Sequence, residues 1–220
     1  MGKNIVINSK KGSKLQMCKI FRMDDINSCS KQYEEYCKYG KGFLDFKYVR
    51  TIKKLSGWAR YSELSVEKLD RLITQFKNKN IKLLIAVTAC WVEKNGNLTF
   101  VDARLPEQVA FLKECQKKGI IEIANHGLTH CDIIEKRFLP KLIYGSNRKY
   151  HREFLDYKSN KVLENHVKES QSILSNAFGR KPEWFVPPGH KCCARTYSFL
   201  KLHGIKRVAG DFGYGVKNMC

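Results

Sequence analysis

The sequence predicts an α/β fold in which parallel strands alternate with crossover helices, as a barrel or an open sheet. Two observations carry that reading. Residues 81–89, "IKLLIAVTA", form a near-continuous apolar run of the kind a strand needs when it is buried on both faces. On either side of it, 65–80 and 105–119 place apolar residues at helical spacing, and the alternation of short apolar runs with amphipathic stretches continues toward the end of the chain. Strands separated by helices pair in parallel, because only a crossover returns the chain to the same edge direction.

Taken in order, "QMCKIFRM" (16–23) is a first strand running into Asp24 and Asp25. "SVEKLDRLITQFKNKN" (65–80) is a helix with Ser65 at the N-cap position, Glu67 in its first turn and Val66, Leu69, Leu72, Ile73 and Phe76 on one face. "LPEQVAFLKECQKKG" (105–119) is a second helix, with Pro106 suited to the first turn and Gly119 to the C-terminal cap. "IIEIAN" (120–125) follows as a strand. Residues 132–160 are polar, aromatic and lysine-rich without a period, and read as a long loop with short helical pieces. "NKVLENHVKESQSILSNAFG" (160–179) is helix ended by Gly179, and "PEWFVPPG" (182–189) is a short strand stopped by two prolines. "TYSFLKLHG" (196–204) is helix and "IKRVAG" (205–210) strand. Neither internal repeats nor a flexible linker interrupt the pattern.

At 220 residues with 43% hydrophobic content, the chain suits one domain with a substantial core. No stretch approaches the roughly 20 apolar residues that cross a bilayer. The opening "MGKNIVINSKKGSKLQ" has no apolar centre for a secretory signal, so the expected location is cytoplasmic. Nine cysteines, an odd number without a Cys-x-x-Cys pair, read as reduced thiols rather than a disulfide framework. The net charge of +20 favours anionic partners, but the basic residues are spread along the chain and no zinc-finger, RNP or Gly-rich phosphate motif accompanies them. Specific nucleic-acid recognition is therefore not expected, and a lysine-rich solvated surface is.

Three polar constellations follow strands: Asp24-Asp25, His126 with His130, and Pro187-Pro188-Gly189-His190. Singly each has an ordinary reading, as a solvated turn or cap, a locally bonded histidine pair, and a rigid turn. Parallel α/β folds, however, gather the carboxyl ends of their strands on one face, where distant residues share a pocket. Two imidazoles and one carboxylate there make a three-ligand site with an open position for water, as catalytic zinc requires. A second carboxylate beside it suits a general base. Asp24 and Asp25, adjacent on an extended chain, would point apart and so serve two roles.

The order "FRMDDI", "IANHGLTH", "FGRKPEWFVPPGH", with Arg152-Glu153-Phe154 between the last two, resembles the polysaccharide deacetylases, the NodB-type carbohydrate esterases. The resemblance is closest to their uncharacterised putative-deacetylase branch and spans about residues 16–212. It implies a distorted (β/α)7-type barrel, with 1–15 as a polar N-terminal segment and 16–220 as the catalytic domain. It further implies Asp24 as general base, with Asp25, His126 and His130 holding one divalent metal. Zinc is the first expectation, and cobalt, iron, manganese or nickel are compatible with the same ligands. Hydrolysis by metal-bound water would remove an N-acetyl group from a sugar or glycan. The oxyanion would be held near Pro188 and Gly189, by a backbone N–H that the prolines cannot offer.

The chain departs from the family pattern twice. Val186 stands where the family's third motif has an arginine that orients the base, which leaves Arg22 or Arg152 to supply that charge. The last motif, a histidine on a final strand, has no counterpart after "VAGDFG". The expectation is a barrel lacking its final strand, as a C-terminally truncated domain or with another group as acid. His190 is the nearest candidate, and Asp211 one that would orient the metal site. His151, His166 and His203 read as surface or structural residues. The alternative reading is a catalytically silent binding protein on the same scaffold, recognising an acidic glycan or other polyanion. A cytoplasmic enzyme of this charge would meet anionic or carrier-linked N-acetylated sugars.

Overall fold

Leu83, Leu84, Ile85, Ala86 and Val87 are all essentially inaccessible to solvent, because the strand they form is covered on both faces. The computed structural model describes residues 3–9, 16–29, 62–79, 81–93, 96–132, 152–210 and 216–218. Its elements begin with β1 (Lys3–Ser9), β2 (Gln16–Ile26), α1 (Val66–Asn78) and β3 (Lys82–Val87). A small hairpin, β4 (Cys90–Val92) and β5 (Leu98–Phe100), leads into α2 (Val101–Arg104), α3 (Pro106–Lys117) and β6 (Ile121–Asn125). Then come α4 (Asn160–Phe178), β7 (Trp184–Phe185), a 3₁₀ turn (Pro188–His190), α5 (Thr196–Leu202), β8 (Arg207–Ala209) and β9 (Val216–Asn218).

The main sheet has seven strands in the order β1-β2-β3-β6-β7-β8-β9. Strands β2 to β8 pair in parallel, and β1 and β9 add antiparallel edges. Among the described residues the sheet is open: β1 and β9 do not pair with each other. It is the α/β arrangement expected, with the barrel unclosed. Alternate residues of the central strands enter different cores. Leu83, Ile85, Val87, Ile121 and Ile123 pack against the helices, with Leu69 and Ile73 of α1, Leu112 of α3 and Leu174 of α4. Leu84, Ala86 and Ala124 face the other way and join Ile20, Trp184, Val186 and Ala209. Each large aliphatic side chain so buried stabilises the fold by about 1.5–3 kcal/mol.

The five predicted strands and four predicted helices occur where the periodicity puts them, and the ends differ instructively. Ser65 takes the N-cap position of α1 but makes no side-chain cap bond, whereas Ser159 caps α4 by accepting from Val162 N–H. Gly179, with φ of +70°, ends α4 in the left-handed conformation that suits glycine. Strand β7 is only two residues long, since Pro187 and Pro188 have no N–H for a ladder. Residues 3–9, within the stretch read as a polar segment, pair as an edge strand, and the hairpin at 90–100 has no counterpart in the sequence reading. Of the long loop at 132–160, residues 133–151 lie outside the described residues, as does His151.

The ladder continues past the strands at their carboxyl ends. Thr88 N–H donates to the Ile26 carbonyl, His126 N–H to Val87 and Val186 N–H to Asn125, at 3.0, 2.9 and 2.9 Å. These bonds tie the ends of β2, β3, β6 and β7 to one another, which fixes where the polar residues after each strand emerge. Asn125 is the buried node of this edge. Its Nδ2 donates to Ser170 Oγ at 2.8 Å and Gln171 Oε1 at 3.1 Å on α4, and its Oδ1 accepts from Gly127 N–H at 2.8 Å. Asn125→Ala removes three buried hydrogen bonds and leaves the Gly127 N–H without its acceptor, and is expected to cost about 2–3 kcal/mol in urea unfolding. A loss below about 0.5 kcal/mol would contradict the role assigned to this side chain.

Candidate metal centre and active site

Asp25, His126 and His130 meet at the carboxyl ends of β2 and β6, with their ligand atoms all within 4.8 Å of one another. His130 Nε2 lies 3.2 Å and His126 Nε2 3.5 Å from Asp25 Oδ1, and the two rings are tilted at a centroid distance of 4.5 Å. Both histidines are buried, while Asp25 is half-exposed and opens the group to one side. The backbone that delivers them is neither extended nor helical. Register slips between Met23 and Ile26 of β2, and Asp25 has φ of +75°. A left-handed residue in a bulge, rather than simple alternation along an extended chain, turns Asp25 away from Asp24. Likewise, no helical turn brings the imidazoles together. Gly127 (φ +87°) and His130 (φ +56°) reverse the chain after β6.

His126 donates through Nδ1–H to the Val186 carbonyl at 2.7 Å, which leaves Nε2 as the lone-pair nitrogen. That nitrogen is buried and has no hydrogen-bond partner among the described residues. A buried acceptor beside a carboxylate and a second imidazole is a donor set that suits a cation, and a backbone carbonyl fixing the distal nitrogen is the usual support of a ligating histidine. The residues present therefore fit a divalent ion. Cys131 follows His130 directly, but its Sγ lies against Cys29 Sγ at 3.8 Å, and the converging ligand atoms are those of Asp25, His126 and His130.

Asp24 sits beside this group and is held by Arg22. The Arg22 guanidinium is 1% exposed. Its Nε lies 2.8 Å from Asp24 Oδ1, as an ion pair rather than an aligned hydrogen bond. Its Nη1 donates to the carbonyls of Ala209 and Gly210 at 2.9 and 3.0 Å, and its Nη2 to His190 Nδ1 at 3.2 Å. Because a guanidinium only donates, Nδ1 of His190 accepts, and in the neutral ring the proton is on Nε2. Of the two arginines expected to serve Asp24, the ion pair comes from Arg22. Arg152 is half-buried and directly precedes Glu153. The turn after β7 carries Pro188, buried, then Gly189 at φ +60° and His190 at φ +63°. Asp211 lies outside the described residues.

The sequence reading assigned no role to Glu153. Its carboxylate is fully buried, accepts from the N–H groups of Leu128, Thr129 and His130 at 2.9, 3.2 and 2.9 Å, and meets His166 Nδ1 at 2.7 Å. Arg-Glu-Phe was visible as a segment, but its partners lie 23 to 25 residues back along the chain, beyond any local pattern. Burial acts to raise the Glu153 pKa, yet the His166 contact and the backbone donors outweigh it and hold the carboxyl below its usual 4.5. A folded-state pKa below the unfolded one gives stability that is fully present above about pH 4.5 and is lost as pH falls through the folded value. Glu153→Gln is therefore expected to cost about 3 kcal/mol at pH 7, with the gap to wild type narrowing below about pH 4 in acid-denaturation curves. A gap independent of pH would show that the charge contributes nothing.

The sequence matches the polysaccharide deacetylase family over residues 60–208, a span that includes His126, His130, Glu153 and His190 and leaves out Asp24 and Asp25. No curated protein matches the chain in sequence. Among solved structures, a de-N-acetylase from Aggregatibacter actinomycetemcomitans is 11% identical, with 90% of this chain and 87% of that one covered at a TM-score of 0.47. IcaB from Ammonifex degensii is 15% identical over 81% and 72% of the two chains, at a TM-score of 0.45. A CE4 family pseudoenzyme from Bacillus anthracis is 14% identical over 67% of this chain, which spans 40% of its length, at a TM-score of 0.43. The family match covers more than half of the sequence, and on it the conclusion rests: the chain belongs to the polysaccharide deacetylase family.

Proposed function

We propose that the protein is a metal-dependent hydrolase that removes an N-acetyl group from a sugar or glycan. The observation that carries this reading is the convergence of Asp25, His126 and His130 around a buried Nε2 that has no hydrogen-bond partner among the described residues. These three residues would hold the ion, zinc being the first choice for two imidazoles and a carboxylate. When bound, a divalent ion supplies Lewis-acid polarisation of the acetyl carbonyl and makes a neighbouring water more acidic.

The chain's own groups then divide the proton transfers. Asp24, fixed by Arg22, takes the proton of the water that attacks the carbonyl carbon. His190 N–H is bonded to the Pro187 carbonyl at 2.9 Å, and Pro188 has no N–H, so Gly189 carries the donor of this turn that suits the developing oxyanion. As the C–N bond breaks, His190 Nε2–H passes its proton to the leaving amine, and Arg22 on Nδ1 favours the tautomer that can do so. The products are acetate and a free amine. The +20 charge suits an anionic or carrier-linked substrate by attraction.

Acetate release from N-acetylated oligosaccharides, with added divalent metal, tests the reading. Asp24→Asn is expected to keep its metal and to lose at least about 100-fold in turnover. Unchanged turnover would contradict Asp24 as base. Failure of the wild type to release acetate, with polyanion binding that weakens steeply with salt, would favour a binding protein instead.

A further inference from the structure

We propose that Glu153 is a positioning residue for the metal centre, acting through the backbone of the loop that carries His130. This rests on the reading of Asp25, His126 and His130 as ligands. The loop from Gly127 to His130 has no helix or strand to shape it, and two of its residues adopt left-handed backbone angles, one of them the non-glycine His130. Such a conformation persists only where surrounding bonds over-determine it. Glu153 provides them: Oε1 accepts from Leu128 N–H, and Oε2 from Thr129 and His130 N–H. One carboxylate thus gathers three consecutive amides and sets the direction in which the His130 side chain leaves the chain.

The carboxylate is itself held. His166, on α4, bonds Oε1 from the far side, and Phe154 is fully buried against Leu163 and Val167 of the same helix. A few residues on, Lys158 Nζ pairs with Asp132 Oδ1 at 2.7 Å and Tyr157 Oη donates to Asp132 Oδ2, so the strap 153–158 clasps the loop at both ends. Space confirms the fit. A Cβ on Gly127 would lie 2.2 Å from Glu153 Oε2 and 2.8 Å from Pro188 Cγ, so the glycine lets carboxylate and turn close over the loop. His166 therefore has a definite place, one step behind Glu153 and two behind the ligand.

The test is metal affinity, measured for cobalt(II) and zinc(II) by competition with a chelator, at a temperature where near-ultraviolet circular dichroism shows every variant folded. Glu153→Gln keeps size but offers an amide N–H₂ to backbone donors, and is expected to weaken binding about 10–100-fold. His166→Ala, at a half-buried position, leaves all three backbone N–H donors to Glu153 in place and is expected to weaken it less, about threefold to tenfold. A residue that served stability alone would lower the unfolding midpoint without moving the dissociation constant of the folded protein. Unchanged affinity in folded Glu153→Gln, or in His166→Ala should the first variant not fold, would overturn the proposal. Absence of metal binding by the wild type would overturn it together with the ligand assignment, and is told apart because the unmodified chain fails.

Discussion

The interaction on which the rest of the site depends is the bond between His126 Nδ1 and the Val186 carbonyl. It fixes the ring, commits one nitrogen, and leaves the other buried with its lone pair directed at Asp25 and His130. A buried acceptor without a donor costs roughly 1–3 kcal/mol unless something compensates it. Val186 thus serves twice, its carbonyl holding the His126 ring and its side chain packing in the core with Ile20, Leu84 and Trp184.

The cation beside Asp24 comes from its own strand, two residues before it. Arg22 on β2 reaches under Asp24 and across to the end of β8, where it closes on two carbonyls 187 and 188 residues away in sequence. A fully buried guanidinium is tolerable because it pairs with a carboxylate and donates to two carbonyls and an imidazole. In consequence Asp24 and His190, which the sequence separates widely, become the two neighbours of one cation. The open parallel sheet makes this reach short, since its strands end on the same side.

Much of this was legible in the sequence, for identifiable reasons. The doubly buried run at 82–87, the amphipathic faces of α1, α3 and α4, and the glycine after α4 are local signals, and local signals survive translation into structure. The strand-end placement of Asp24, Asp25, His126 and His130 follows from the topology alone. What was not legible depends on long-range partners or on backbone sign. Neither the left-handed Asp25 and His130 nor the wrap of Glu153 around three amides leaves a periodic trace. His166 illustrates the limit: its helical position reads as surface or structural, and only the fold identifies its partner as a buried carboxylate. The choice between Arg22 and Arg152 was likewise open until the distances were known.

The central claim is that two strand ends, bearing Asp25 on one and two imidazoles on the other, form one metal site. Elemental analysis of purified protein beside Asp25→Ala tests it most directly. About one divalent ion per wild-type chain and a large loss in the variant are expected. No ion in the wild type, even after reconstitution with zinc or cobalt, would contradict it.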